Sequence, residues 1–269
     1  MKNVTSYSSI ILKILFIFLC ITACKKKDEG NIDSFLPIPP NGYSWIKVFQ
    51  DDFDGNVLDS SKWIIWNGDR TESVSRPEAV TINLSTIRIN QYYDSIQRKY
   101  TSAFVGTLGK FEQAYGFYSA RIRVNKISGW DAGFWLLGQG VGNIGNGGVD
   151  GSEIDIIEMP FQNDSLLHAI HWDGYGAEHQ SAYKIVKMPN VKVGEWHIFS
   201  LCWLEDKYIF YIDGEETWRT IGGGISQDST TYMIISSEVN TNIAGQIDTN
   251  TLPIEYLVDW IHVYNLKKN

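Results

Sequence analysis

The sequence predicts an all-β fold, an antiparallel β-sandwich of the jelly-roll kind with one concave sheet, and three observations carry that expectation. Short runs rich in β-branched and aromatic residues follow one another along the chain. Among them are AVTINL, TIRINQYY, FYSARIRV, LLHAIHW, WHIFSLCWL, YMIISSEV and YLVDWIHVY, each bounded by Gly, Asn, Asp or Ser. Two further runs, KYIFYI and EETWRT, flank Asp213-Gly214, the dipeptide of a tight hairpin turn. Finally, no long helical period competes with these runs and no internal repeat divides them, so two sheets sharing one core are expected.

The chain has 269 residues, of which 43% are hydrophobic, enough for one domain with a sizeable core. Its beginning has a different character. Lys2 and Lys13 flank a polar stretch, and ILFIFLCITAC then supplies an apolar run too short for a comfortable transmembrane helix. Residues 1–23 are therefore expected to be a secretion signal. Ile21-Thr22-Ala23-Cys24 resembles the bacterial lipobox, which implies lipidation of Cys24 and a lipid anchor in a bacterial membrane, in the outer membrane or at the cell surface. KKKDEG after it resembles the export signal of some surface lipoproteins. The alternative is an ordinary signal peptide with an incidental cysteine, and labelled palmitate lost in Cys24→Ser separates the two. Residues 24–43 are polar and punctuated by Pro and Gly, as suits a tether, and the domain is expected over 44–269.

Once Cys20 is cleaved away and Cys24 lipidated, only Cys202 is left, so no intramolecular disulfide is expected and Cys202 reads as packing. The formal net charge is −8, which argues against nucleic acid as a partner. A monomer is expected.

GSEIDIIEMPF raises a specific problem. It holds Glu153, Asp155 and Glu158 in a run otherwise built of isoleucine. In a regular strand Glu153 and Asp155 share one face, while Glu158 joins Ile154 and Ile156 on the other, in the core. An unpaired buried carboxylate costs several kcal/mol. A β-bulge at Ile156–Ile157 solves this, because one extra residue lets both isoleucines point inward and returns Glu158 to the face of the other two acids. Carboxylate pairs on one face of a cleft suit glycoside hydrolysis, one acting as nucleophile or base while the other protonates the leaving oxygen. A third acid between them can hydrogen-bond the nucleophile and hold the acid/base proton near working pH. The competing readings are a solvated acidic strand or a calcium site, although calcium prefers acids on flexible loops. Ten tryptophans, several beside glycine or acids as in SGWDAGFWLLG and HWDGYG, add faces on which sugar rings stack.

EIDIIE matches the E-x-D-x-x-E signature of glycoside hydrolase family sixteen, the laminarinase, agarase and carrageenase group, in its bulged form. VFQDDFDGNVLDSSKW is similar to that family's opening strand, KFEQAYGFYSARIRV to its Y-G-x-x-x-A-R segment, WHIFSLCWLEDKYIFYIDG to its hairpin and YLVDWIHVY to its closing strand. The resemblance implies Glu153 as nucleophile, Glu158 as general acid/base and Asp155 as the assisting carboxylate. It implies sugar contacts from the aromatic segment before the acids, here Trp130 to Trp135 and one residue longer than usual. It also implies contacts from His171 or Trp172, and alternation lets only one of these face the cleft, His171 being preferred. Ser236 falls near a position that carries a cleft asparagine in many laminarinases, and Glu238, two residues on, shares its face. No cofactor is required by the resemblance, but a structural calcium is implied for some members, with Asp52 and Asp259 as candidate ligands.

The resulting expectation is a retaining endo-β-glycanase whose partner is a polysaccharide, with β-1,3- or mixed-linkage β-1,3/1,4-glucan as first choice. An endo-acting galactan hydrolase of the agarase, porphyranase, carrageenase or endo-β-galactosidase type is the second. Arg70, Arg76 and Arg219 look scattered in a chain that is acidic overall, which weighs mildly against heavily sulfated substrates. Two readings of other classes are a non-catalytic glycan-binding sandwich, which has no need of the three acids, and a purely structural lipoprotein.

Overall fold

The computed structural model describes residues 35–70, 72–123, 125, 128–160, 165–187, 191–227 and 229–269. The leader, Cys24 and the first part of the tether lie outside the described residues. Among these residues the strands form two sheets. The outer one has eleven strands, in the order Glu215–Thr220, Lys207–Ile212, Trp196–Leu204, Gly116–Arg123, Ile254–Lys268, Ile87–Asp94, Lys99–Ser102, Ser73–Ser75 and Gly68–Asp69. Tyr43–Asp51 also pairs with Ile254–Lys268, and Val80–Ile82 with Ile87–Asp94. The second sheet has eight, in the order Gln180–Lys187, Ser165–Trp172, Glu153–Glu158, Trp130–Gly138, Thr231–Val239, Phe104–Gly106 and Ile64–Ile65, with Glu112–Gln113 beside Thr231–Val239. Pairing is antiparallel except between Ser73–Ser75 and Lys99–Ser102. The antiparallel sandwich read from the sequence is therefore present.

Strand periodicity explains how the layers hold together. Phe134, Ile154 and Ile235 project inward from the eight-stranded sheet and meet Phe199, Phe210 and Ile261 from the outer one, all without solvent exposure. Burying each such side chain contributes about 1.5–3 kcal/mol. The expected hairpin is also in place: Asp213 and Gly214 have φ of 50° and 81°, the pair of positive values a two-residue turn between twisted strands requires. Asp213 adds side-chain hydrogen bonds, accepting from the Ile198 amide at 2.8 Å and bonding His197 Nδ1 at 2.7 Å.

Residues from Phe35 on, which composition assigned to a tether, pack on the domain. Phe35 and Leu36 pack on a second apolar cluster, on the outside of the outer sheet, built from Phe117, Ile198, Cys202, Ile209, Trp260 and Tyr264. Trp45 Nε1 donates to the Pro37 carbonyl at 2.7 Å, and a Cβ at Gly214 would collide with the Phe35 ring. That outer patch is apolar and needs cover, so the chain is committed to the domain from Phe35 rather than from residue 44. Cys202 is buried in the same patch, its thiol pushed up to about 12 by burial, as fits a packing role. Phe35→Ala is expected to cost about 1–3 kcal/mol of unfolding free energy by denaturant titration without changing turnover. An unchanged midpoint would mean that the segment only rests on the surface.

Candidate active site

The strand Glu153–Glu158 carries the bulge. Against Ser165–Trp172 its register runs Asp155 to Ala169 and then Glu158 to Leu167, so Ile156 and Ile157 together oppose His168. Against Trp130–Gly138 it runs Asp155 to Trp135 and Ile157 to Phe134, which leaves Ile156 as the extra residue. Both isoleucines are fully buried in the core. Glu153, Asp155 and Glu158 consequently line one recess of about 370 Å³ on the opposite face. Gly133 lies opposite Glu158 and leaves it room, since a Cβ there would stand 2.9 Å from the Ile157 carbonyl and 3.7 Å from Glu158 Cγ.

Each carboxylate has its own surroundings. Asp155 is 3% exposed and its Oδ2 lies 3.4 Å from His171 Nε2. Burial first, then the charges of Glu153 and Asp131, hold its proton well above the usual carboxylate range. Glu153 accepts a short hydrogen bond from the Tyr175 hydroxyl. Burial raises its pKa, and this bond together with His171 and Arg70 pulls it back. Every influence on Glu158 pushes upward: burial, then Asp155, Asp131, Glu153 and Glu238. The two glutamates thus have environments that separate their proton affinities, with one favoured as an anion and the other as an acid.

The remaining sequence candidates divide. Trp135 lines the recess and donates from Nε1 to Ser236 Oγ at 3.0 Å, and Ser236 and Glu238 line it as well. His171 faces the acids, while its Nδ1 meets His179 Nε2 at 2.9 Å with the rings stacked 5.1 Å apart. Trp172 does not reach the cleft. Alternation turns it to the core side, where its ring lies against Gly223 and Gly224. Trp130 is also turned away: it is 2% exposed and makes an edge contact with Tyr100 at 6.1 Å, an odd-even step from the face that Trp135 shares.

Asp52 and Asp259 each have a protein partner. Asp52 bonds His262 Nε2 at 2.9 Å and borders an acidic hollow that includes Asp51, Asp54 and Asp59. Asp259 is the extra residue of a bulge in the closing strand and is held by Arg121 Nη1 at 2.6 Å. The guanidinium supplies its counter-charge.

Asp131, Tyr175, Arg70 and the pair Trp66 and Tyr232 were not placed at the cleft by the sequence reading. Asp131 is two residues from Gly133 on the same face, and burial and Glu238 raise it to about 7. Tyr175 comes from the turn after the Ser165–Trp172 strand. Arg70 is not scattered but lies on the cleft wall, its Nε donating to Glu238 Oε2 at 3.2 Å and its guanidinium 3.9 Å above the Phe104 ring. Beside it a smaller recess of about 190 Å³ is walled by Trp66 and Tyr232, whose rings stack at 6.2 Å. Arg76 bonds Asn67 Oδ1 at the edge of that recess, whereas Arg219 sits on the outer hairpin, paired with Glu216. A polar residue at the cleft parity of a strand was the signal available for Asp131; Tyr175 and Arg70 sit on turns and gave none.

Comparison with known proteins agrees with this arrangement. A keratan-sulfate endo-1,4-beta-galactosidase of Sphingobacterium multivorum is 22% identical over 287 residues, covering 96% of this chain and 67% of the relative. A beta-glucanase of Rhodothermus marinus is 22% identical over 251 residues, covering 82% and 85% respectively. Among solved structures, the catalytic domain of a laminarinase from Thermotoga petrophila RKU-1 superposes with a TM-score of 0.69 at 25% identity, over 84% of this chain and 99% of that one. The profile of Glycosyl hydrolases family 16 matches residues 59–262, a span that takes in the acid strand and both of its neighbours, and the chain belongs to that family of glycoside hydrolases.

Proposed function

We propose that the protein is a retaining endo-β-glycanase in which Glu153 is the nucleophile, Glu158 the general acid/base and Asp155 the assisting carboxylate. The observation that carries this reading is the bulge, which brings three acids of unlike environment to one recess. Glu153 receives a hydroxyl hydrogen bond that favours its anion, and it attacks the anomeric carbon from one side of the sugar. Glu158, kept protonated by burial and by its acidic neighbours, gives its proton to the leaving oxygen. Water then enters, Glu158 takes its proton as a base, and the glycosyl ester on Glu153 is cleaved with retention. Asp155 sits between the two and couples their charges.

For the substrate, β-1,3- or mixed-linkage glucan is the first reading, supported by the likeness to a beta-glucanase and a laminarinase. Galactan is the second. It is supported by the similarity to a keratan-sulfate endo-galactosidase across nearly the whole chain and by Arg70 on the cleft wall. The recess itself holds Asp131, Glu153, Asp155, Glu158 and Glu238 around that one guanidinium, so a sulfate directly at the reacting sugar would meet repulsion. Reducing-end release from laminarin, barley β-glucan, agarose, porphyran and desulfated or sulfated keratan separates the two. Turnover of galactans alone overturns the glucan reading.

The roles of the glutamates are separable. Glu153→Ala is expected to lose at least about a thousandfold in kcat, with azide or formate restoring activity and giving the inverted product. Glu158→Ala is expected to spare activated aryl glycosides far more than natural linkages, and azide should then give the retained product. Proton NMR of the product anomers reads both, and the opposite pairing of anomers would mean that the roles are exchanged.

Asp131 supplies a pH prediction. Its folded pKa, about 7, stands above the ordinary 3.8, so the folded state binds this proton more tightly and stability falls as pH rises between those values. Asp131→Asn removes that loss. It is expected to stabilise the protein little near pH 4 and by up to about 4 kcal/mol at pH 8. Because a negative neighbour of Glu158 disappears, the alkaline limb of kcat/KM should move to lower pH. A stability gain that does not grow with pH would show that Asp131 is not held protonated by the fold.

A further inference from the structure

We propose that His168, which touches neither substrate nor reacting atoms, is a positioning residue for the acid/base. It fixes the bulge that turns Glu158 into the cleft by capping the backbone carbonyl of the extra residue, Ile156. This rests on the assignment of Glu158 above.

A bulge leaves a backbone group without a ladder partner, and here that group lies in the core. His168 is the residue opposite the bulge on the neighbouring strand. It shares its strand face with the buried Leu166 and Ile170, so its side chain points inward, and it has no solvent exposure. Its Nδ1 is 2.6 Å from the Ile156 carbonyl oxygen and its Nε2 is 2.9 Å from Thr217 Oγ1, on the outer sheet. The Phe210 ring lies against the imidazole with centroids 4.9 Å apart.

Chemistry selects the tautomer. A carbonyl oxygen at 2.6 Å can only accept, so Nδ1 carries the proton and donates to Ile156. Nε2 is then the acceptor, and the Thr217 hydroxyl donates to it. Burial holds the ring's pKa down at about 4, so the imidazole is neutral where the enzyme folds and the hydroxyl has a lone pair to meet. One neutral side chain thus satisfies the orphan carbonyl and anchors it across the sandwich to the other sheet. An apolar residue at 168 would fill the same space and leave that carbonyl unpaired, which favours a ladder without the extra residue, and such a ladder sends Glu158 inward.

Three substitutions in the full chain distinguish this role from packing. Asn can place its amide nitrogen where Nδ1 stands, Gln places its own where Nε2 stands, and Phe fills the volume with neither. His168→Asn is expected to keep kcat within about threefold of wild type, whereas His168→Gln and His168→Phe lower it about tenfold or more with KM changed less than about twofold. The alkaline limb of the pH profile should be displaced from its wild-type position in Gln and Phe but not in Asn. The limb reports Glu158, whose proton is held by burial first and then by Asp155 and Glu153 on its own strand, Asp131 on one neighbour and Glu238 beyond it, and a displaced Glu158 changes both its burial and that field. Equal kcat and pH limbs in Asn and Gln, or wild-type values in a folded Phe variant, overturn the proposal. If no variant folds, the nitrogen shifts of the wild-type histidines decide it: a ring protonated on Nδ1 alone supports the cap, and an Nε2–H tautomer or an imidazolium overturns it. Azide rescue of Glu158→Ala with retained product tests the underlying assignment separately, so failure of one is distinguishable from failure of the other.

Discussion

The active face depends on one unpaired residue. In a strand of period two, acids spaced as Glu153, Asp155 and Glu158 cannot share a face, and the mismatch is a single position. Ile156 supplies it. The same insertion places two isoleucines in succession under the recess, so the carboxylate row is backed by apolar packing from directly beneath rather than by a loop. Sites set on strands hold their geometry better than sites on loops, because the ladders on both sides fix the backbone. Here those ladders run to Trp130–Gly138 and Ser165–Trp172, which themselves contribute Trp135, Asp131 and His171 to the cleft.

The arrangement works against stability in a way that serves the chemistry. Five carboxylates share a recess with one guanidinium, and their mutual repulsion is strongest where water is excluded. Asp131, Glu153, Asp155 and Glu158 all hold their protons more tightly than in solution, which is the condition an acid catalyst needs and a nucleophile must escape. Tyr175 and His171 relieve Glu153 alone. The difference between the two glutamates therefore comes from neighbours and not from depth, since both are largely enclosed.

Much of this was legible in the sequence, for stated physical reasons. Alternation and turn residues marked the strands, and WHIFSLCWL, KYIFYI and EETWRT coincide with observed strands to the residue. The bulge was legible because a regular strand would have buried a charge at no gain. The aromatic segment was legible only in part: a run of aromatic residues fixes that some ring faces the cleft, but parity decides which, and Trp135 rather than Trp130 shares the face of the acids. Alternation had already favoured His171 over Trp172 on the next strand. The packing of Phe35 and Leu36 was hidden because they are a short apolar pair in a polar stretch, and the patch that receives them is assembled from four distant strands. Tyr175 and Arg70 sit on turns, where no period assigns a direction.

The position of Arg70 bears on what the cleft can hold. It follows the Gly68–Asp69 strand at the edge of the outer sheet, yet it pairs with Glu238 on the eight-stranded one, so the cleft wall is closed by an ion pair between the two layers. Its guanidinium lies over the Phe104 ring, and beyond it Trp66 and Tyr232 offer stacked rings. The cleft is therefore asymmetric: a strongly acidic centre at the carboxylate row adjoins an aromatic recess edged by Arg70 and Arg76. A glycan lying across it would place its reacting sugar among acids and a neighbouring sugar against aromatic faces beside cations. A negative substituent at the first position would meet like charge, and one at the second would lie beside a guanidinium. A total charge of −8 could not have revealed this, because net charge sums over a surface whereas recognition reads it residue by residue.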